Sequence, residues 1–405
     1  MSERAVIVMK FGGTSVVDER GRAALGRRVL AVLELGKAPV VVVSAMGRRG
    51  APYATDTLLG LVEGLPVNAR ETDLIASAGE LISTVVVAAH LRAAGIDSVS
   101  FSGGQAGIMT DDCFGAARIT GIDPGTLLAA VAAGSVPVVA GFQGVAPDGS
   151  TTTLGRGGSD TTACALGVAL NAESVEIYTD VDGVMSADPR TCETASALTV
   201  IGAEELFQMA RHGSKVVHTP AAELALSSGI GLRVRNTFSD HAGTHVVDMR
   251  AYAPAGVATA VSHADGIARF TVPLPGLEDS PEHMDAQSQI YRSMAQAEVS
   301  LDMFTPAVGS LVFTVPESSV STASLILEEL GMGFTVRHGL AKVTLVGAGM
   351  HGVPGVMAAM ADHLAEAGVH ILQTADSHTT ISALVPAEEV LTAVRALHHA
   401  FSLQV

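Results

Sequence analysis

Residues 10–15 have the sequence Lys-Phe-Gly-Gly-Thr-Ser and directly follow the apolar run 5–9. The apolar run predicts a buried strand, and the helical pattern after it predicts a strand–turn–helix unit. Paired glycines let backbone N–H groups approach an anion, and the following helix contributes its positive N-terminal end. Lys10 adds a point charge. The stretch therefore predicts a phosphate-sized anion site, although most Gly-Gly turns are only turns.

Length and composition limit the classes of protein to consider. The 405 residues predict two or three domains, and 48% apolar against 16% charged content is typical of large buried sheets. The net charge of −17 argues against a nucleic-acid partner. Cys113, Cys164 and Cys192 are scattered, which favours a reducing compartment over a disulfide framework or a metal site. No apolar run is long enough for a signal peptide or a membrane span, so we expect a cytoplasmic protein without a membrane partner.

The first 245 residues alternate between strand and helix patterns. Short apolar runs at 39–43, 136–140 and 175–178 predict further strands. Between them, Thr72 is predicted to begin a helix that ends near residue 94, before Gly95. This alternation predicts a mostly parallel sheet with helices on both faces, and such sheets bind ligands at the carboxyl ends of their strands.

Polar residues follow four of these predicted strands. The strand ends supply Lys10, Ser44, Gly141 and Thr179-Asp180. If the strands are parallel neighbours, one edge of the sheet collects a cation, a glycine-rich turn, hydroxyl groups and a carboxylate. Polar residues commonly follow strands, so the set is more informative than any one position.

A second glycine-rich stretch, Gly-Arg-Gly-Gly-Ser-Asp at residues 155–160, precedes a helical pattern. Glycines, a guanidinium and a helix N-terminus together form an anion site, and Arg156 suits a bidentate contact to a carboxylate. Asp160 lies in the first turn of the predicted helix. It either caps that helix, which is the commoner use, or orients a reactive group.

Two further segments are ambiguous by themselves. The polar segment 179–190 follows a strand and contains Asp-Gly and Asp-Pro turn signals. It could wrap a nucleotide or be an ordinary surface loop. Lys215 follows a predicted helix and could reach a phosphate or remain solvated.

These stretches, together with Ser44-Ala45-Met46-Gly47 and Gly79-Glu80, resemble the motifs of the aspartokinases in the same order. The resemblance extends over essentially the whole chain and is closest to the Bacillus-like single-chain type. It implies an α/β amino-acid-kinase (carbamate-kinase-like) fold for residues 1–245. It also implies transfer of the ATP γ-phosphoryl group to the β-carboxylate of L-aspartate. The product, 4-phospho-L-aspartate, opens the route to lysine and diaminopimelate, threonine and methionine.

The resemblance also implies roles for individual residues. Lys10 would bridge the phosphoryl group and the attacking carboxylate, and Asp160 would organise the site with it. Arg156 would clamp the α-carboxylate of aspartate, and Glu80 would help to hold its amino group. The other implied substrate contacts are Thr55, Gly157, Gly158 and Ser159, with Asp160; the implied ATP contacts are Lys10, Phe11, Gly12, Gly13, Ser44, Thr179, Asp180, Met185, Ser186, Ala187, Asp188, Pro189, Arg190 and Lys215.

One segment departs from the common pattern of the family. Residues 48–53 lengthen the loop before Thr55, as in one Bacillus-like subset. The assignment of Thr55 is therefore less direct than that of Arg156.

Elementary chemistry agrees with a kinase that acts on a carboxylate. Phosphoryl transfer requires two anions to be held in line and neutralised. A carboxylate nucleophile is already ionised near neutral pH, so no general base is needed. The 14 histidines show no metal-ligand spacing, so we expect no protein metal site and Mg²⁺ held mainly by the phosphates of ATP.

The remaining chain contains an internal repeat. We predict a linker at 246–262 that overlaps a strand at 257–263, then β-α-β-β-α units at 263–339 and 340–405. The second unit lacks a strand, so we expect 257–263 to complete its sheet. The units are packing modules or, by their resemblance to the ferredoxin-like ACT domains of aspartokinases, sensors of amino acids. The implied effector turn contains Met350, His351, Gly352, Val353 and Pro354.

The sequence says less about the identity of the effector and about the oligomeric state. A short motif at 376–380 resembles the subset under diaminopimelate control, while lysine and threonine remain open. Edge strands and helix faces of such modules associate, so we expect a homodimer or a larger homo-oligomer formed through the ACT domains. The alternatives are another kinase of the same fold, for glutamate or UMP, and a catalytically silent protein that senses amino acids.

Overall fold

The computed structural model describes residues 4–214, 218–248, 256–276, 280–350 and 352–403.

The chain forms two compact units that are not contiguous in sequence. Two short segments of the predicted first domain, residues 1–245, belong to the second unit instead. The N-terminal unit contains residues 1–185, 197–210 and 215–253, and the C-terminal unit contains 186–196, 211–214 and 254–405.

The strands in the first half of the chain form two sheets. They are short because each connects to a helix or a tight turn after a few residues. In chain order they are β1 Val6–Phe11, β2 Ala38–Val43, β3 Ser98–Phe101, β4 Ile108–Thr110, β5 Ile119–Ile122, β6 Val136–Ala140, β7 Gln143–Val145, β8 Thr151–Thr153, β9 Ser174–Thr179, β10 Val200–Gly202, β11 Gly231–Asn236 and β12 Thr244–Val247.

The larger sheet has the order β10-β12-β11-β9-β1-β2-β6-β3. Its pairs are parallel except for β11 with β12. All six residues of β2 are buried, as are five of the six residues of β1. Strands covered on both faces show continuous apolar runs rather than alternation, as the sequence does here. The smaller sheet has the order β5-β4-β7-β8.

Helices lie between these strands. The helices of this half are α1 Gly13–Val16, α2 Glu19–Glu34, α3 Thr55–Gly60, α4 Ala69–Ala93, α5 Gly125–Ala132, α6 Gly158–Ala169, α7 Ala203–Arg211 and α8 Thr219–Ser227.

Helix α4 begins one turn earlier than the sequence analysis predicts. Asn68 is its cap, and the Asn68 side chain accepts a hydrogen bond from the Glu71 N–H at 2.9 Å. The Thr72 hydroxyl donates to the Asn68 carbonyl at 3.0 Å instead of capping. Asn and Thr both cap helices, so local sequence alone did not decide between them.

The C-terminal unit contains one six-stranded sheet in the order β14-β15-β13-β16-β18-β17, in which every pair is antiparallel. Its elements are β13 Ala260–Pro273, α9 Pro281–Gln296, β14 Asp302–Ala307, β15 Ser310–Pro316, α10 Val320–Glu329, β16 Thr335–Val346, α11 Val356–Glu366, β17 Gln373–Asp376, β18 Thr380–Pro386 and α12 Val390–Ala400.

Two long strands cross the predicted bounds of the repeat units. Strand β13 continues from the predicted strand 257–263 into the unit predicted at 263–339, and β16 crosses the predicted boundary between residues 339 and 340. Residues at the start of β13 pair with the end of β16, as in Ala260 with Val346. The later part of β13 pairs with β15, as in Phe270 with Phe313. The two repeats therefore share one sheet.

Residues 186–196 pack into the core of the C-terminal unit. Ala187 and Cys192 are each 2% exposed and belong to the same apolar cluster as the residues of α12. The Ser186 hydroxyl lies 2.9 Å from the His398 Nε2 atom of α12. Residues 186–196 are thus held in place by side chains of the second repeat.

Candidate active site

The parallel sheet of the N-terminal unit brings the polar strand ends to one edge. Strands β9, β1, β2 and β6 are neighbours in that order. Lys10 on β1 is in register with Val42 on β2 and Ile177 on β9. The chain after each strand therefore leaves the sheet at the same edge, which collects Lys10, Ser44, Gly141 and Thr179.

A buried ion pair lies at this edge. The Lys10 Nζ atom is 2.6 Å from Asp160 Oδ1, and the two side chains are 13% and 12% exposed. The other carboxylate oxygen of Asp160 accepts a hydrogen bond from the backbone N–H of His218 at 3.2 Å. Helix α6 has no side-chain cap, and Gly157 is its N-cap residue. Asp160 therefore contacts Lys10 rather than capping α6, which decides between the two interpretations that the sequence left open.

The glycines after β1 have different surroundings. A Cβ atom on Gly13 would lie 2.6 Å from the carbonyl oxygens of Ala45 and Gly47, so only glycine fits between the turns after β1 and β2. A Cβ atom on Gly12 would have only ordinary contacts, with Lys10 Nζ and the Tyr178 carbonyl oxygen at 3.9 Å. The Gly12 N–H donates a hydrogen bond to the Tyr178 carbonyl at 3.4 Å, which ties the turn after β1 to the end of β9 beside the lysine ammonium group.

Glu80 is a buried carboxylate with one unused oxygen. Its Oε1 atom accepts a hydrogen bond from the Ala45 N–H at 3.0 Å, and its side chain is 3% exposed. Its Oε2 atom is buried without a hydrogen-bond partner among the described residues. Burial, partly offset by the hydrogen bond from Ala45, raises the pKa of Glu80 to about 7. An ammonium group would satisfy this oxygen and favour the charged form.

The loop that precedes Thr55 lies against the turn of α4 that carries Glu80. A Cβ atom on Gly79 would be 2.7 Å from the Tyr53 carbonyl oxygen and 3.4 Å from Leu58. Thr55 is the first residue of α3, so the structure places this helix start near Glu80 in the fold.

Arg156 is exposed, and none of the described residues forms a salt bridge with it. The neighbouring Gly157 has a φ angle of 73°, and a Cβ atom there would overlap the His218 ring at 2.1 Å. Gly158 and Ser159 are buried at the start of α6, and Ser159 lies against Gly141 after β6. The arginine therefore projects from a rigid turn at the edge of the sheet.

The loops after β2 and β9 contact each other. The Arg48 guanidinium group lies 3.3 Å from the Asp180 carboxylate, in an exposed pair. The Thr179 hydroxyl also donates to Asp180, at 3.2 Å. The lengthened loop at 48–53 thus contacts a residue of the predicted nucleotide set.

The rest of the predicted nucleotide set is divided between the two units. Met185 pairs with Ala197 in the N-terminal unit. Ser186 and Ala187 are buried in the C-terminal unit, where the Asp188 carboxylate accepts hydrogen bonds from Arg190. That contact, against the opposing effect of burial, lowers the pKa of Asp188. Pro189 is exposed in the same unit, and Lys215 lies outside the described residues.

The implied effector turn follows β16 in the C-terminal unit. Met350 is 6% exposed, its carbonyl accepts a hydrogen bond from the Val353 N–H at 3.2 Å, and Val353 is 43% exposed. Gly352 has a φ angle of 73°, and Pro354 is exposed. His351 lies outside the described residues.

Sequence reasoning missed several residues that hold the site. His218 donates its backbone N–H to Asp160 from a position 58 residues away. Beneath β1, the Tyr178 ring stacks on Phe11 at 4.5 Å and its hydroxyl donates to Glu176, which also pairs with Arg235. An aromatic residue within a strand pattern predicts only a core position, so no signal in the sequence identified this network.

Another network holds the loop after β9. The Asp182 carboxylate accepts hydrogen bonds from the Asn236 amide at 2.8 Å and from the Ser239 hydroxyl. The bond from Ser239, more than the opposing burial, lowers the pKa of Asp182. Asp182 is therefore engaged by protein groups.

The described residues contain no metal cluster and one helix of membrane-spanning length. No three His, Cys, Asp or Glu side chains among them lie close enough to hold a metal ion. Helix α4 is long and apolar enough to cross a membrane by length and composition, and half of its most apolar window is buried inside the fold. It also carries Asp73, which accepts hydrogen bonds from Thr153, so α4 is a helix of the globular core.

The sequence profile of the amino acid kinase family matches residues 5–236, and that of the ACT domain matches residues 335–399. Among solved structures, the chain is similar to Escherichia coli aspartokinase III in complex with aspartate and ADP. The TM-score is 0.77 at 26% identity, over 98% of this chain and 100% of that one. The complex of the same enzyme with lysine and aspartate gives the same TM-score and identity, over 98% and 99% of the two chains.

Curated relatives share more of the sequence. Aspartokinase 1 of Bacillus subtilis is 42% identical over 98% of this chain and 99% of its own length. The aspartokinase of Mycolicibacterium smegmatis is 38% identical over 98% of this chain and 96% of its own. Because these matches span both units at such identity, the chain belongs to the aspartokinases, within the amino acid kinase family.

Proposed function

We propose that the Lys10–Asp160 pair is the centre of the phosphoryl-transfer site. As an aspartokinase, the chain transfers the γ-phosphoryl group of ATP to the β-carboxylate of L-aspartate. Two anions must meet in this reaction, and a fixed ammonium group between them lowers the cost of their approach. Asp160 holds Lys10 at 2.6 Å, beside the glycine turn that follows β1. This pair at the carboxyl edge of the sheet is the observation that carries the proposal.

Aspartate would be bound by three charged contacts. Arg156, exposed on its rigid turn, would clamp the α-carboxylate through two parallel N–H···O bonds. The unpartnered Oε2 of Glu80 would accept the ammonium group. Lys10 would contact the β-carboxylate that attacks phosphorus. The remaining contacts would come from Thr55, Gly157, Gly158 and Ser159.

The nucleotide would lie across the ends of β1 and β9. Phe11, Gly12, Gly13 and Ser44 would surround its phosphates, and Thr179, Asp180, Met185 and Lys215 would hold the remainder. The ADP complex of E. coli aspartokinase III supports nucleotide binding by this fold.

Magnesium would arrive with ATP. The described residues offer no cluster of three metal-ligating side chains, so the phosphates would supply most of the ligands. Mg²⁺ bound in this way neutralises part of the charge on the phosphates.

The substrate assignment can be tested directly. Hydroxylamine converts an acyl phosphate to a hydroxamate, so we expect hydroxamate to form with ATP and L-aspartate. With L-glutamate we expect little product, because its extra methylene would displace the side-chain carboxylate from Lys10 when Arg156 holds the α-carboxylate. Equal yields would contradict the assignment, and no product with either substrate would favour the silent sensing protein.

The C-terminal unit would regulate this reaction through an amino acid bound at its ACT sheet. The implied effector turn is 350–354, and diaminopimelate, lysine and threonine are the candidate effectors. The lysine complex of E. coli aspartokinase III supports an amino-acid effector. Thermal-shift measurements with lysine, threonine, methionine and meso-diaminopimelate should identify one stabilising ligand, and that ligand should inhibit the kinase.

Assembly and location complete the proposal. Strands β14 and β17 form the edges of the six-stranded sheet, and such modules associate through edges and helix faces. We therefore expect at least a homodimer formed through the ACT domains, in the cytoplasm.

A further inference from the structure

The loops that follow β2 and β9 meet beyond the end of β1. Strand β1 lies between β9 and β2 in the sheet, and the three strands run parallel. Arg48 belongs to the loop after β2, and Asp180 directly follows β9. Their contact at 3.3 Å therefore crosses the line of β1 at its carboxyl end, where Gly12 and Gly13 form the predicted phosphate turn.

Backbone hydrogen bonds hold the base of Arg48 against this turn. The Gly47 N–H donates to the Gly13 carbonyl at 3.1 Å, and the Ala51 N–H donates to the Arg48 carbonyl at 2.8 Å. A Cβ atom on Gly47 would lie 2.4 Å from the Ala51 Cβ atom, so the turn around Arg48 is tight. The backbone of Arg48 is thus fixed beside the glycines, whereas its side chain is 76% exposed and can change partner.

The charges at this edge leave a need for a further cation. Lys10 is paired with Asp160 at 2.6 Å, so the charges of these two side chains offset each other. The whole protein has a net charge of −17, which repels a polyphosphate. A nucleotide that binds here therefore requires positive groups from the surrounding loops, and the fold places Arg48 in one of them.

We propose that Arg48 binds the terminal phosphates of the nucleotide and exchanges the Asp180 carboxylate for phosphate oxygens. The inference rests on the proposed kinase function and adds a residue to it. An exposed ion pair contributes little to stability, so giving it up costs little. A guanidinium group can instead donate two parallel, charge-assisted hydrogen bonds to a phosphate. The exchange therefore favours the phosphate as partner.

A purely structural role of this ion pair is the alternative. The loop at 48–53 leads into α3, whose first residue is Thr55, a proposed aspartate contact. If Arg48 only held this loop in place, its removal would disturb Thr55 and raise the KM for aspartate. If Arg48 binds phosphate, its removal raises the KM for ATP and leaves the KM for aspartate nearly unchanged.

Equilibrium binding measured by calorimetry tests the proposal without turnover. We expect Arg48→Ala to weaken ADP binding roughly 10–100-fold, as for the loss of a charged hydrogen-bonded contact. The affinity for AMP, which lacks the terminal phosphates, should change much less. An unchanged affinity for ADP would overturn the inference.

The next residue of the same loop provides the matched control. Arg49 is also exposed, but it lines a groove beside α3 together with Asp56 and Leu59. Arg49→Ala removes the same charge and should leave ADP binding nearly unchanged. Equal weakening in Arg48→Ala and Arg49→Ala would show a general effect of charge and would overturn the specific contact.

Steady-state kinetics separate the phosphate contact from the structural role. Arg48→Ala should raise the KM for ATP by a factor similar to the loss of ADP affinity, with the melting temperature retained. Arg48→Lys keeps the charge but not the planar guanidinium group, so its KM for ATP should be intermediate. An equal or larger rise in the KM for aspartate would assign Arg48 to the loop and overturn the inference.

The further inference and the proposed function fail in different ways. If hydroxamate forms with aspartate but ADP binding does not depend on Arg48, only the phosphate contact is wrong. If no hydroxamate forms but ADP binding does depend on Arg48, the contact stands and the proposed reaction is wrong. A crystal structure with ADP should show the Arg48 guanidinium group on a phosphate oxygen, and a guanidinium group that remains on Asp180 would overturn the exchange.

Discussion

Two lysine–aspartate pairs, one in each unit, have different surroundings. Lys10 and Asp160 lie at the carboxyl edge of a parallel sheet and are 13% and 12% exposed. Lys342 and Asp302 lie in the antiparallel sheet, where Lys342 is 7% exposed between β13 and β18, and Asp302 is 51% exposed. Burial alone would raise the pKa of Asp302, but the hydrogen bond and charge of Lys342 lower it.

The difference shows that position in the sheet, not the pair itself, separates a reactive site from a structural contact. Lys10 is the penultimate residue of β1, at the carboxyl end of the strand and next to the glycine turn. Lys342 is in the middle of β16, with strands on both sides. We therefore expect changes at the first pair to lower the catalytic rate and changes at the second pair to leave the rate unchanged.

The largest expected effect is on the first pair. Lys10→Ala should lower kcat by about 10³-fold or more, because it removes the charge that joins the two anions. The melting temperature should fall as well, because the buried Asp160 loses its partner, but the protein should remain folded. Steady-state assays and circular dichroism measure both. Lys37→Ala breaks the exposed pair with Glu173 at 2.6 Å in the same unit and should leave kcat unchanged. Comparable rates in the two variants would remove Lys10 from the site.

Removal of Arg156 should affect binding more than rate. Arg156→Ala should raise the aspartate KM by roughly 10–100-fold, as expected for a lost bidentate charged contact, with a smaller effect on the KM for ATP. Arg156→Lys keeps the positive charge but not the planar guanidinium group that can donate two parallel hydrogen bonds, so its aspartate KM should be intermediate. Arg118→Ala, at another exposed arginine, is the control. An unchanged aspartate KM in Arg156→Ala would exclude the clamp.

The pH profile tests Glu80. Its pKa is about 7, and only its carboxylate form attracts an ammonium group. The kcat/KM for aspartate should therefore rise between pH 6 and pH 8, by up to about 10-fold per unit below the pKa. Glu80→Gln should have a lower kcat/KM without this rise. A slope that persists in Glu80→Gln would assign it to another group.

The same shift predicts how stability depends on pH. Because the pKa of Glu80 is raised from 4.5 to about 7 on folding, its stabilising contribution is present below pH 4.5 and is lost as pH rises through about 7. The full difference corresponds to at most about 3 kcal/mol. Glu80→Gln should thus be more stable, relative to the wild-type chain, at pH 8 than at pH 5, as chemical denaturation would show. A constant difference between the two proteins would contradict the shift.

The smallest effect on catalysis is expected at the second pair. Lys342→Met should leave kcat unchanged and lower the stability of the C-terminal unit by about 1–2 kcal/mol. The loss is small because Asp302 is half exposed, so water still stabilises its charge when the lysine is removed. Adding Asp302→Asn should recover part of the loss. Urea denaturation measures both. A large fall in kcat would erase the contrast between the pairs.

Much of the site was predictable because it depends on local chemistry. The run at 5–9 and the turn after it predicted β1 and the position of Lys10 near its end. The approach of an anion to the two glycines stays a prediction, and at Gly13 the close neighbour is the backbone of the turn after β2. The start of α4 was wrong by one turn, because Asn68 and Thr72 are both good caps. The lengths of β13 and β16 were also not predicted. Each strand contains a glycine, which normally indicates a turn, but the strand continues to pair beyond it.

The sequence by itself determined the alternation of strand and helix, and hence the parallel sheet and the residues at its edge. This was possible because the spacing of buried apolar residues along the chain differs between strands and helices. Only the tertiary structure decided which distant groups meet. It paired Asp160 with Lys10 instead of using it as a cap, buried one oxygen of Glu80 without a partner, and packed residues 186–196 into the C-terminal unit. Contacts of this kind depend on the exclusion of water by many segments together, which no local pattern records.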